Sequence, residues 1–107
     1  MDRSEQVKLI AETYTKDELL QDVPVETERL LFCQRRSASR REWEASGQRG
    51  LKPEYEITLF APEYQGENIA ALLLYDSWER FAVYRTYEDP RTETITLYLT
   101  RDVGAAN

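Results

Sequence analysis

Polar and apolar positions alternate most regularly over residues 54–61, where Tyr55, Ile57, Leu59 and Ala61 fall on one side and Glu54, Glu56 and Thr58 on the other. A period of two is that of a strand with one face on a core. The same period runs through 92–100, with Ile95, Leu97 and Leu99 facing one way and Thr94, Thr96, Tyr98 and Thr100 the other. A one-residue slip there would expose the whole apolar set, so its register is strongly specified. Residues 80–87 are rich in β-branched and aromatic types, and the turn formers Glu88-Asp89-Pro90-Arg91 join them to the last strand as a hairpin. Residues 69–75 form a continuous apolar run whose length suits a buried strand or a short helix, and they are read as a strand. Residues 7–13 and 25–33 alternate less cleanly and are read as the first two strands. The polar stretch 16–24 between them, ending at Pro24, reads as a mobile hairpin loop.

One segment breaks the strand pattern. Ser39-Arg40-Arg41-Glu42 has the spacing of a capping box, in which the serine oxygen and the glutamate each satisfy a backbone N–H at a helix start. A helix of about two turns follows, carrying Trp43 and Ala45, with Trp43 on its buried face and Gly47 as the left-handed residue that ends it. Together 37–53 make a long excursion between strands, predicted to be mobile in the free protein and ordered on assembly. About six short strands with one short helix in a long inter-strand loop are better closed or curled than left flat with open edges. The expectation is a mainly β fold, a small antiparallel β-barrel or sandwich forming one domain over 1–107, with residues 103–107 frayed.

Composition narrows the function. Acidic residues outnumber basic ones by 20 to 14, and the resulting net charge of −6 opposes general affinity for a phosphate backbone. With no histidine and with Cys33 as the single cysteine, the commonest general base, thiolate metal cages and internal disulfides are all missing, so no catalytic residue, cofactor or metal site is expected. Cys33 shares a strand with Leu31 and reads as a buried, inert thiol. No run reaches the roughly 20 apolar residues of a membrane span, and the N-terminal residues do not resemble a secretory signal, so a cytoplasmic protein is expected. Carboxylate pairs such as Glu42 and Glu44 are ordinary in an acidic chain, and with no glycine-rich phosphate loop an enzyme is the poorest class.

The segment from Arg35 to Tyr55, with its serine-rich start, acidic and aromatic helix, Ala45-Ser46-Gly47 stop and return strand, resembles the centre of phage and prophage head-tail joining proteins, also called head completion or head-tail adaptor proteins. The resemblance continues through Ile57-Thr58-Leu59-Phe60-Ala61-Pro62, then Phe81-Ala82-Val83-Tyr84-Arg85, then Glu93-Thr94-Ile95-Thr96-Leu97-Tyr98-Leu99, and so covers nearly the whole chain. None of these motifs is a chemical signature; their order and spacing carry the likeness. It implies a small barrel assembled with copies of itself into a ring. That ring would sit between the portal or adaptor ring and the tail proteins of a virion connector, help retain packaged DNA, and assemble in the bacterial cytoplasm. DNA would be passing cargo only, and net negative charge suits a channel through which it slides. Members often carry an Asn-Gly-type turn before the Phe-Ala-Val-Tyr-Arg strand; Asp76-Ser77-Trp78-Glu79 stands here, and Ser77 predicts a longer loop that exposes Trp78.

A closing ring needs complementary patches on one subunit. The basic cluster Arg35, Arg36, Arg40 and Arg41 and the acidic Glu54, Glu56, Glu63 and Glu67 are candidates for its two sides. With Glu42, Trp43, Arg49, Leu51 and Trp78 the arginines make up the expected interface. Each has an ordinary alternative: a solvated helix flank for the arginines, docking on its own barrel for Trp43, a core lid for Trp78. The competing function is a small barrel of the oligonucleotide-binding kind that takes single-stranded nucleic acid or a peptide, with Tyr14, Tyr55, Tyr84, Tyr87 and Tyr98 as stacking platforms.

Overall fold

Six strands form, and they close on themselves. The computed structural model describes residues 4–47 and 50–101. Strands β1 (Glu5–Lys16), β2 (Asp22–Ser37), β3 (Pro53–Phe60), β4 (Ile69–Leu74), β5 (Ser77–Asp89) and β6 (Thr94–Thr100) make an antiparallel barrel in the order β1-β2-β3-β6-β5-β4, with β4 paired back to β1. The choice between barrel and sandwich is settled as barrel. The α1 helix (Arg40–Gly47) lies between β2 and β3, and one turn of 3₁₀ helix (Ala61–Glu63) ends β3 a residue earlier than its alternation suggests. Residue Arg49 and the 103–107 tail lie outside the described residues.

The lumen is filled by the inward sets of each strand. Ile57 and Leu59 from β3 and Leu97 and Leu99 from β6 are fully buried, as the period of two requires, and Phe81 packs edge-on to Tyr55 at 5.5 Å between ring centres. Cys33 is fully buried in the same cluster, and burial, reinforced by the carboxylate of Glu5, pushes its thiol up to about 12. The hairpin of β5 and β6 places Ile95 and Leu97 in the core as read from the sequence, although β6 begins at Thr94.

The first hairpin departs most from expectation. β1 and β2 pair over twelve positions, from Glu5↔Cys33 to Lys16↔Asp22, whereas β4 meets β1 only from Val7 to Ile10 and β3 meets β2 only from Gln34 to Ser37. Residues 11–30 therefore leave the barrel as a two-stranded arm, in which 11–16 pair with 22–27 over about 20 Å and 28–30 pair with 8–10 at its base. It accounts for a molecule 49 Å long against 32 and 30 Å across. Of the stretch 16–24 expected to be a hairpin loop, Lys16 and residues 22–24 belong to the strands and 17–21 make the turn, held by Asp17, whose Oδ1 accepts N–H bonds from Leu19 (2.8 Å) and Gln21 (2.9 Å). Alternation fades here because both faces of the arm meet water, and backbone pairing with a few ion pairs keeps the strands.

The β4–β5 connection also differs. Leu74 pairs with Ser77, and Tyr75 and Asp76 between them both have positive φ (50° and 66°), the signature of a two-residue type I′ turn. The expected long loop over 76–79 is absent because the turn sits one residue earlier, with Ser77 already in β5; Trp78 is half-buried in that strand, with the Lys8 ammonium 4.4 Å from its ring centre. A tyrosine in this backbone region is strained, and the Tyr75 side chain is wholly exposed and loses nothing on replacement. The substitution Tyr75→Asn is expected to stabilise the protein by about 0.5–1 kcal/mol, read as a higher denaturation midpoint; an unchanged or lower midpoint refutes the turn assignment. The buried Cys33 thiol is expected to resist iodoacetamide at pH 8 until the chain is unfolded, as mass spectrometry of the labelled protein will report.

Candidate functional site

The α1 helix is set by four polar groups rather than by an apolar stripe. Ser39 Oγ accepts the N–H of Glu42 at 3.1 Å, the serine half of the expected capping box. The reciprocal half comes from elsewhere: the Ser39 N–H donates to Glu56 Oε2 of β3 at 3.0 Å, which leaves the Glu42 side chain free to turn inward. Glu42 and Ser46, four positions apart, form the buried side of the helix, and Ser46 donates to Glu42 Oε2 at 2.8 Å. The left-handed residue after the helix is Gly50 (φ 75°), not Gly47, which is still helical; the Leu51 N–H then bonds the Ser46 carbonyl at 3.0 Å.

A bulge in β5 makes room for this docking. The ladder between β5 and β6 slips at Val83/Arg85, since Val83 pairs with Leu99 and Arg85 with Tyr98. In a regular strand Tyr84 and Arg85 would face opposite sides of the sheet; across the bulge both reach the helix. Tyr84 Oη donates to Glu42 Oε2 at 2.5 Å, Arg85 Nε donates to the same oxygen at 3.1 Å, and Arg85 Nη2 binds Glu42 Oε1, completing a two-pronged pair. The guanidinium lies 3.6 Å over the Tyr98 ring on its far side. The Arg85 guanidinium, helped by the Tyr84 and Ser46 hydroxyls, holds the Glu42 carboxyl at about 2, and burial with the adjacent carboxylate raises the Tyr84 phenol. A carboxylate only 3% exposed is thereby stabilised as an anion.

The expected interface residues are dispersed by this arrangement. Arg35 stacks 5.5 Å over Tyr55 and lies 3.7 Å from Glu5, and Arg36 pairs with buried Glu56 at 3.0 Å, so both strand arginines are engaged inside the chain. Arg40 and Arg41 are exposed on α1, the former 3.9 Å from Glu44 one turn on. Trp43, expected on the buried face, is 46% exposed beside them, because the buried face is the polar one that meets Arg85. Leu51 is half-buried where the chain returns to the barrel. Of the acidic set, Glu54 pairs with Arg101, Glu56 with Arg36 and Glu67 with Arg29, while the carbonyl of Glu63 accepts from Arg29.

The second candidate surface, the arm, was not legible as one in the sequence. Arg29 bolts its base to buried Glu67 through Nε at 2.7 Å and Nη2 at 2.6 Å, and Arg80 of β5 binds Glu26 with both prongs at 2.8 Å. Beyond these braces Tyr14, Val23 and Val25 are exposed, and Leu19 and Leu20 at the tip are 77% and 76% exposed. The pair Leu19-Leu20 inside a polar stretch was the available signal. Among the described residues, a cleft lined by Leu30, Leu31, Phe32 and Glu63 and another lined by Ala61, Pro62, Glu88, Pro90 and Glu93 bring together no nucleophile and base. Among the described residues no helix is long and apolar enough to cross a membrane. Comparison with known proteins finds no match: no family model, curated protein or solved structure is similar to the chain.

Replacing Glu42 by Gln leaves Arg85 without its counter-charge and is expected to cost about 3 kcal/mol in chemical denaturation, with faster amide exchange over 40–47. The folded-state carboxyl titrates below its ordinary value of 4.5, so unfolding takes up a proton at acid pH. Its contribution is complete above pH 4.5 and is lost as pH falls toward 2, so the gap between wild type and Glu42→Gln should narrow over that window. A gap independent of pH would show that Glu42 does not carry the charge assigned to it.

Proposed function

We propose that this chain is a structural subunit of a tailed-phage or prophage head-tail connector, working by ring assembly with copies of itself between portal or adaptor and tail, and catalysing nothing. The observation that carries the reading is the placement of two exposed, partly apolar surfaces at opposite ends of β2: the arm tip beside Asp22, and α1 just beyond Ser37. Contacts through opposite ends of one subunit are heterologous, the kind that builds rings or open chains. The motif order read from the sequence supplies the connector context. A net charge of −6 suits a channel wall past which DNA slides.

The alternative, a barrel binding single-stranded nucleic acid, draws less support from the side chains. Of its five tyrosines, Tyr84 is bonded to Glu42, Tyr98 is covered by Arg85 and Tyr55 is packed on Phe81, leaving Tyr14 and Tyr87 exposed. Tailed virions from cells that encode the chain should contain it in several copies per particle by quantitative mass spectrometry, and its gene should lie after those for portal and capsid and before those for the tail. Particles with portal and tail but without this polypeptide overturn the reading. Micromolar binding of labelled single-stranded DNA that weakens as salt rises would favour the alternative instead.

A further inference from the structure

We infer that the arm tip of one copy docks on the outward face of α1 of a second copy. This rests on the assembly reading above and names the contact that the assembly would use. The two surfaces match in chemistry. The arm carries six carboxylates, of which Asp22, Glu26 and Glu28 are paired with Lys16, Arg80 and Lys8, while Asp17 and Glu18 stand at the tip beside exposed Leu19 and Leu20. The α1 face offers Trp43 with Arg40 three positions before it on the outward side and Arg41 on the flank, and Lys52 follows the helix. Neither Arg41 nor Lys52 has an ion-pair partner among the described residues, and Arg40 has only the 3.9 Å contact with Glu44. An apolar centre of leucines against tryptophan, rimmed by opposite charges, is the usual anatomy of a specific contact.

Geometry forbids the contact within one chain. The tip turn precedes Asp22 and α1 follows Ser37, so the sixteen residues of β2 separate them, about 50 Å of extended strand. A second copy is the occupant that satisfies both surfaces at once.

Two other ways of covering the arm fit less well. Residues 22–33 of β2 have a free edge, but Pro24 offers no N–H and Glu26, Glu28 and Arg29 crowd it with charge, the devices that discourage strand addition. The cleft lined by Leu30, Leu31, Phe32 and Glu63 is polar as well as apolar and has no cation among its lining residues to meet an acidic tip.

Sedimentation velocity of the full chain at low salt tests the contact with two charge reversals that touch no buried pair: Glu18→Arg on the arm, and Arg40→Glu with Arg41→Glu on the helix. Wild type should associate in a concentration-dependent and salt-sensitive way. Each variant alone should associate about tenfold more weakly, since residue 18 at the tip then faces residues 40 and 41 of its own sign. An equimolar mixture of the two should recover wild-type association, because the reversed arm meets the reversed helix while the native pair of surfaces also survives. Variants that associate as wild type does, or a mixture that stays as weak as its parts, overturn the arm-to-helix contact and leave ring assembly to another surface. A wild-type monomer at millimolar concentration overturns it too, and the virion measurement then decides the connector role separately.

Discussion

A charge that has left water must find its counter-charge, and in this protein Glu42 finds Arg85. That one pair decides how the helix sits. Tyr84, Ser46 and the face of Tyr98 complete the environment, and the β5 bulge is what brings two consecutive strand residues to the same carboxylate. With the polar side of α1 committed inward, Trp43, Arg40 and Arg41 have nowhere to go but out. An amphipathic helix docked by its tryptophan would have presented the opposite face, so the exposed chemistry of this end of the molecule follows from a single ion pair.

Arginine and carboxylate pairing recurs wherever an element stands outside the barrel. Arg36 with Glu56 ties the end of β2 to β3 and frees the Ser39 cap to start the helix; Arg29 with Glu67 and Arg80 with Glu26 brace the arm. The two-pronged geometry of guanidinium on carboxylate fixes orientation as well as distance, which suits elements with few apolar contacts to hold them. The barrel itself needs none of this. Its lumen is filled by apolar side chains, and its closure removes most of the edges through which a sheet of this size would otherwise associate without control.

The candidate residues were legible in unequal measure. Arg40 and Arg41, named by the sequence, lie at the surface, whereas Trp43, expected on the buried face of the helix, is exposed beside them. Arg35 and Arg36 look like members of the same basic cluster in one dimension, yet they belong to a strand and are neutralised by Glu5 and Glu56, distant in sequence. Glu56 illustrates the difficulty: strand periodicity puts it on the outer face, correctly, but that face is covered by the cap of α1, so it is buried. The arm carries no hydrophobic period to mark it, because both faces of an exposed hairpin meet water.

What the sequence determined by itself was local and periodic. The alternation of β3 and β6, the serine that starts α1, the tight turn chemistry around Asp89 and the inert setting of Cys33 all follow from residues near one another in the chain, where propensity and period act directly. Closure into a barrel, the bulge at Tyr84, the inward turn of Glu42 and the bracing of the arm depend on partners distant in the chain, as far apart as Val7 and Leu72. Only the tertiary structure could decide them, because the energy of a buried charge or an unpaired backbone group is set by what the fold places beside it.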